Sequence, residues 1–123
     1  MIEVRQLRDF LIGCAQQGRR ISYGDVLTHF GHVVHQANIH NLLKTPLKQV
    51  GEDCHRNGEP LLTVLVVQKK TGAPSRGFIQ DAMRFGILPA AVTTEVEESA
   101  FVNAMAERCF RQWPAGSSNP APR

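Results

Sequence analysis

The run Leu61-Leu62-Thr63-Val64-Leu65-Val66-Val67 is apolar on both faces of an extended chain. A strand of that kind must be central in a sheet or covered on both sides. It lies within the most informative stretch of the chain, Arg19 to Phe78. Upstream stands Arg19-Arg20-Ile21-Ser22-Tyr23-Gly24-Asp25-Val26, followed by a polar region rich in His and Asn. Downstream stands the basic segment Lys69-Lys70-Thr71-Gly72-Ala73-Pro74.

Periodicity predicts the neighbouring elements. From Glu3 to Gln17, Val4, Leu7, Leu11, Cys14 and Ala15 recur at helical spacing, with Gly18 as the stop. Ser22 is the expected N-cap of a second helix, with Asp25 at the positive end of its dipole. Tyr23, Val26, Leu27 and Phe30 supply the buried face of that helix, and Gly31 closes it. From Gln36 to about Asn57, the residues Ile39, Leu42, Leu43, Leu47, Val50 and Cys54 keep a helical period. Pro46 lacks the backbone donor, so the expectation is two helices, 36–44 and 46–57, or one kinked helix.

Glu59-Pro60 leads into a strand over Leu61–Gln68, and Gly72, Pro74 and Gly77 mark a turn or extended hairpin. Phe78 to Phe85 reads as a second strand followed by a helical turn, and Ile87 to Thr94 as a loop. A last helix spans Glu95–Trp113, with Val96, Phe101, Val102, Met105, Cys109 and Phe110 as its stripe. The polar, proline-rich residues 114–123 read as a disordered tail.

Helix, helix, strand, basic hairpin is the order in which a winged helix-turn-helix is assembled. The expected fold is α+β, mainly helical: a single winged-helix-like domain over residues 1–113 with a small β-hairpin. Such a fold suits nucleic acid, and the charge agrees in sign. The formal net charge is +3. Residues 1–94 hold 11 Lys and Arg against 7 Asp and Glu, while residues 95–123 hold 3 against 4. This basic excess permits nucleic-acid binding without requiring it.

The residues that would meet nucleic acid are specific. Gln36, Asn38, His40, Asn41, Lys44 and Lys48 lie on the outer side of the third helical region. Asn and Gln pair bidentately with adenine, and Lys reaches guanine or phosphate. Lys69, Lys70 and Arg76 would form the wing and contact phosphates, with Arg19 and Arg20 adding backbone contacts. On the bland reading these are solvated helix and loop residues.

Other chemistry finds less support. His29, His32 and His35 are three apart, but a Gly31 break separates the first from the others, so no metal site is expected. Cys14, Cys54 and Cys109 are widely spaced and odd in number, which argues for buried free thiols and a reducing, cytoplasmic setting. Met1-Ile2-Glu3-Val4-Arg5 has no apolar signal region, and no run approaches a membrane span. No Walker or dinucleotide fingerprint occurs, and Lys70-Thr71-Gly72 lacks its lactamase partner motifs. No cofactor is expected.

Two resemblances bear on the reading. Cys54-His55-Arg56 resembles part of the Pro-Cys-His-Arg nucleophile motif of alkylguanine-DNA alkyltransferases. Ile21–Val26 resembles the Ile-Thr-Tyr-Gly-Glu-Leu stretch that opens their DNA-binding helix pair and that of the alkyltransferase-like proteins. Glu52-Asp53 stand where Ile-Pro would be, and the arginine-bearing recognition helix is missing. That resemblance implies a winged-helix-like layout rather than alkyl transfer. More broadly, Ile21–Val26, Pro60–Val67 and Lys69–Phe78 resemble a family of small bacterial proteins. Its pattern is Ile-Thr-Tyr-Gly-Glu-Leu, then Pro-Pro-Leu-Thr-x-Leu-Val-Val, then Lys-x-Thr-Gly-x-Pro-x-x-Gly-Phe. That resemblance implies a shared fold and no particular activity.

The leading expectation is a non-enzymatic bacterial module that binds DNA or RNA, or recruits a partner to it. Homodimerisation through the Val96–Phe110 stripe would be in keeping. One alternative is a protein-interaction adaptor without nucleic-acid activity. Another is a small metal-dependent nuclease or hydrolase drawing on Asp25, His29, His40, Asn41 and Glu59.

Overall fold

Helix α1, Val4–Gln16, presents Leu7, Leu11, Cys14 and Ala15 to the core, the stripe its spacing predicts. The computed structural model describes residues 2–31, 39–89 and 94–114, with backbone alone for 39–41. After α1 come β1 (Ile21–Ser22), α2 (Tyr23–His29) and α3 (Ile39–Arg56). A 3-10 turn, Leu62–Leu65, leads into β2 (Val66–Val67), then α4 (Arg76–Arg84) and α5 (Glu95–Gln112). The chain is mainly helical, with one small two-stranded sheet among the described residues.

The caps follow from local chemistry. Ser22 Oγ accepts the Asp25 backbone N–H at 3.1 Å, which is the expected N-cap of α2. Thr94 Oγ1 accepts from Glu97 N at 3.1 Å and donates to the Glu97 carboxylate at 2.8 Å. Glu95, Glu97 and Glu98 then lie at the positive end of the α5 dipole. Gly58 ends α3 at φ +72°, where the Glu59 N–H reaches Cys54 O at 2.9 Å and the Gly58 N–H reaches His55 O at 3.1 Å.

The apolar run is buried as expected but is not a strand throughout. Leu61, Leu62, Val64, Leu65 and Val66 are at most 1% exposed. They pack against α1, α3 and α5 together. Helices offer no open backbone groups to a strand, so a buried extended segment there would leave its own unpaired. The chain curls instead, and Val64 N donates to Leu61 O at 3.1 Å. Sulfur atoms satisfy part of the remainder. Leu61 N donates to Met105 Sδ at 3.3 Å, and Cys109 Sγ donates to Leu61 O at 3.5 Å.

Only Val66 and Val67 remain extended, and they pair parallel to Ile21 and Ser22. This corrects the expected β-hairpin: the strands are far apart in sequence and run the same way. Phe78–Phe85 is corrected too, because it belongs to helix α4, with Phe78, Ile79 and Ala82 buried on one face. The α3 region is one helix through the buried Pro46. Val96 is 79% exposed and lies outside the stripe that buries Val102, Met105, Ala106 and Cys109. The proposed tail beyond Pro114 lies outside the described residues.

Candidate nucleic-acid interface

β1 and β2 run parallel, so their C-terminal ends deliver α2 and the Lys69–Lys70 turn side by side. Tyr23, the first residue of α2, donates its hydroxyl to Ser75 Oγ at 2.9 Å across this junction. The turn is tightly closed. Gln68 N donates to Ala73 O at 2.8 Å, and Gly72 N donates to Gln68 O at 2.7 Å, with Gly72 at φ +70°. Lys69 and Lys70 stand exposed on it.

The run 61–67 travels back along α3. The Leu62 N–H faces Cys54, and a Cβ on Gly51 would meet Thr63 at 3.7 Å. The run therefore heads toward the N-terminal half of α3, where Lys44 and Lys48 lie exposed at i, i+4. All four lysines of the chain belong to these two segments. None makes a salt bridge among the described residues.

The other expected contacts divide. Arg76 is not part of the turn. It starts α4 and pairs with Glu98 at 2.7 Å, so its charge is already compensated by the acidic start of α5. Arg20 donates to Asn103 Oδ1 at 3.0 Å, and Arg19 donates to Gln17 Oε1, and neither has a carboxylate partner among the described residues. Gln36 and Asn38 lie outside the described residues. His40 and Asn41 have helical backbone in α3, and their side chains lie outside the description.

The thiol at Cys54 is fully buried inside α3, and burial pushes its pKa up. Arg8 Nη1 lies 3.8 Å from its sulfur, but desolvation outweighs that cation, so no thiolate is poised there. Cys14 is raised by burial in the same way, and Cys109 is pushed up to about 12, first by desolvation. All three cysteines are buried and free, as their spacing implied. Of the hydrolase pool, Glu59 is held by Arg8, and His29 stacks on Phe10 with centroids 4.1 Å apart. Among the described residues no three His, Cys, Asp or Glu side chains gather as a metal site.

A second basic cluster appears where sequence reasoning placed none. The start of α1, the end of α3 and the end of α5 converge at the opposite end of the molecule. Arg8 forks onto Glu59 with contacts of 2.8 and 3.0 Å, and its guanidinium lies 5.9 Å from the Trp113 ring centroid. Arg56 pairs with Asp53 at 2.8 Å. Arg5, Arg8 and Arg56, with Asp9 and Asp53, border an open cavity of about 740 Å3. Beyond Gly58, the residues Arg108, Arg111 and Gln112 border another of about 260 Å3. The available signal was the i, i+3 spacing of Arg5 with Arg8 and of Arg108 with Arg111, which puts each pair on one helical face.

No family model, curated protein or solved structure matches this chain.

Proposed function

We propose that this chain is a non-enzymatic nucleic-acid-binding module built on a winged-helix plan. In this reading α3 faces the groove, and the 68–73 turn stands where a wing would. The observation that carries it is the disposition of the lysines. Lys44, Lys48, Lys69 and Lys70 are exposed, and none is neutralised by a carboxylate among the described residues. Exposed cations without ion pairs attract a polyanion, and a phosphate backbone is the commonest one they meet. Arg19 and Arg20 would add to the same field. DNA is the expected form, because an exposed helix beside a compact turn suits the width of a major groove.

The test is a salt titration of binding to duplex DNA, single-stranded DNA and RNA. Wild type is compared with Lys44→Ala/Lys48→Ala and with Lys69→Ala/Lys70→Ala. Affinity for duplex should fall steeply with salt, and each lost phosphate contact should flatten that slope by about 1. If wild type shows no binding at low salt, the reading fails and a protein-interaction adaptor takes its place.

A further inference from the structure

The cavity at the end of α5 is bordered by two arginines that no carboxylate holds among the described residues. Arg8, Arg56, Arg76 and Arg84 are each held by a carboxylate. Arg108 and Arg111 have no carboxylate partner among the described residues, and they border the same space of about 260 Å3 with Gln112, Gly58 and Pro60. No acidic residue lines that space. Glu59, between Gly58 and Pro60, has both oxygens engaged by Arg8 at 2.8 and 3.0 Å, and Glu107, beside Arg108 and one turn before Arg111, is exposed and forms no ion pair with either.

We propose that this cavity holds a phosphate group, independently of the lysine surface at the other end. Arg108, Arg111 and Gln112 border it, and Arg suits phosphate because its fork can give two parallel hydrogen bonds. Two uncompensated charges match a phosphate monoester better than a carboxylate. The C-terminal end of α5 opposes an anion with about half an elementary charge, which two full positive charges exceed. The space is smaller than the ~300–1,000 Å3 of pockets that enclose a whole ligand. It therefore takes the phosphate group and leaves the attached molecule outside. The source is either a small phosphate ester or the backbone of a nucleic acid.

Trp113, the only tryptophan, follows Gln112 directly in sequence and supplies a fluorescence signal. Its fluorescence and the heat of binding would be followed as inorganic phosphate, glycerol phosphate and a short DNA duplex are added at constant ionic strength. Acetate is the control. Saturable binding of phosphate but not acetate is expected, weakened at least roughly tenfold in Arg108→Gln/Arg111→Gln. Arg108→Lys/Arg111→Lys should retain part of it, and Lys69→Ala/Lys70→Ala all of it. Thermal melting confirms that each variant is folded. Loss confined to the small esters assigns the site to them, and loss extending to duplex assigns it to the backbone. The proposal is overturned if neither phosphate nor duplex binding changes in the Gln variant. It is also overturned if no phosphate-bearing probe binds up to about 10 mM.

Discussion

The two ends of the molecule carry positive charge in opposite ways. At the turn end the cations are lysines, exposed and without ion pairs among the described residues. At the other end they are arginines, two of them fixed in structure: Arg8 lies between Glu59 and Trp113, and Arg56 on Asp53. A paired arginine has spent its charge on joining helices, whereas an unpaired lysine keeps its charge for the solvent and whatever approaches through it. Net charge therefore says less about binding than which cations are already answered. Arg5, Arg108 and Arg111 at the same end have no such partner among the described residues.

The largest effect should come from the run both ends share. Leu62→Ala should cost about 2–5 kcal/mol, because the site is fully buried among three helices. Urea unfolding measures it, and a loss below that range would mean the core can collapse around the gap.

The next test strikes the paired end alone. Arg8→Ala should cost about 1.5–3 kcal/mol by stranding a half-buried Glu59. Arg8→Met/Glu59→Leu should recover most of that, since an apolar pair can replace an ion pair. Chemical denaturation of both variants distinguishes a structural pair from a dispensable surface one.

Alkaline pH offers a third test. The raised pKa of Cys109 means the folded state keeps its thiol proton while the unfolded chain loses it. Its contribution is fully present below about 9 and is lost as pH rises from there toward about 12. Cys14 and Cys54 shift in the same direction. Melting temperature should fall across that window, by at most about 1.4 kcal/mol of stability per pH unit per thiol. A flat profile would show that these sulfurs are more solvated than their burial implies.

Ser22→Ala removes the α2 cap at the turn end and should cost about 1 kcal/mol in thermal unfolding. Smallest of all, the two double lysine variants should change stability by less than about 0.5 kcal/mol. Their effect belongs in binding, and a larger stability change would mean these lysines are part of the scaffold after all.

The helices were legible because their stripes are local. The faces of α1 and α2 and the Ser22 cap could all be read from spacing. Burial of residues 61–67 was legible as well, but their conformation was not. Apolarity says that a segment goes inside; it does not say whether the walls are strands or helices. The parallel partner Ile21–Ser22 is only two residues long and carries no period. Phe78–Phe85 was misread although Phe78, Ile79, Ala82 and Met83 stand at helical spacing, because the segment is short and follows turn residues that suggested a hairpin. For the candidate interface, the lysines were legible and the commitment of Arg76 to Glu98 was not, since that pair spans 22 residues. The arginine end needed three helix termini to meet, which nothing local announces.

The pairing of Ile21 with Val66 sets an order of events during synthesis. The two positions lie 45 residues apart. Until Leu61–Val67 leaves the ribosome, α1 can pack against α3 but lacks the buried run between them and α5, and β1 has no strand to join. The first half of the chain must wait, collapsed but unfinished, for a segment made after it. Closing so long a loop costs entropy that only the completed core returns. A nascent chain ending before Leu61 should accordingly be a substrate for chaperones and proteases, and one extended through the start of α5 should escape them.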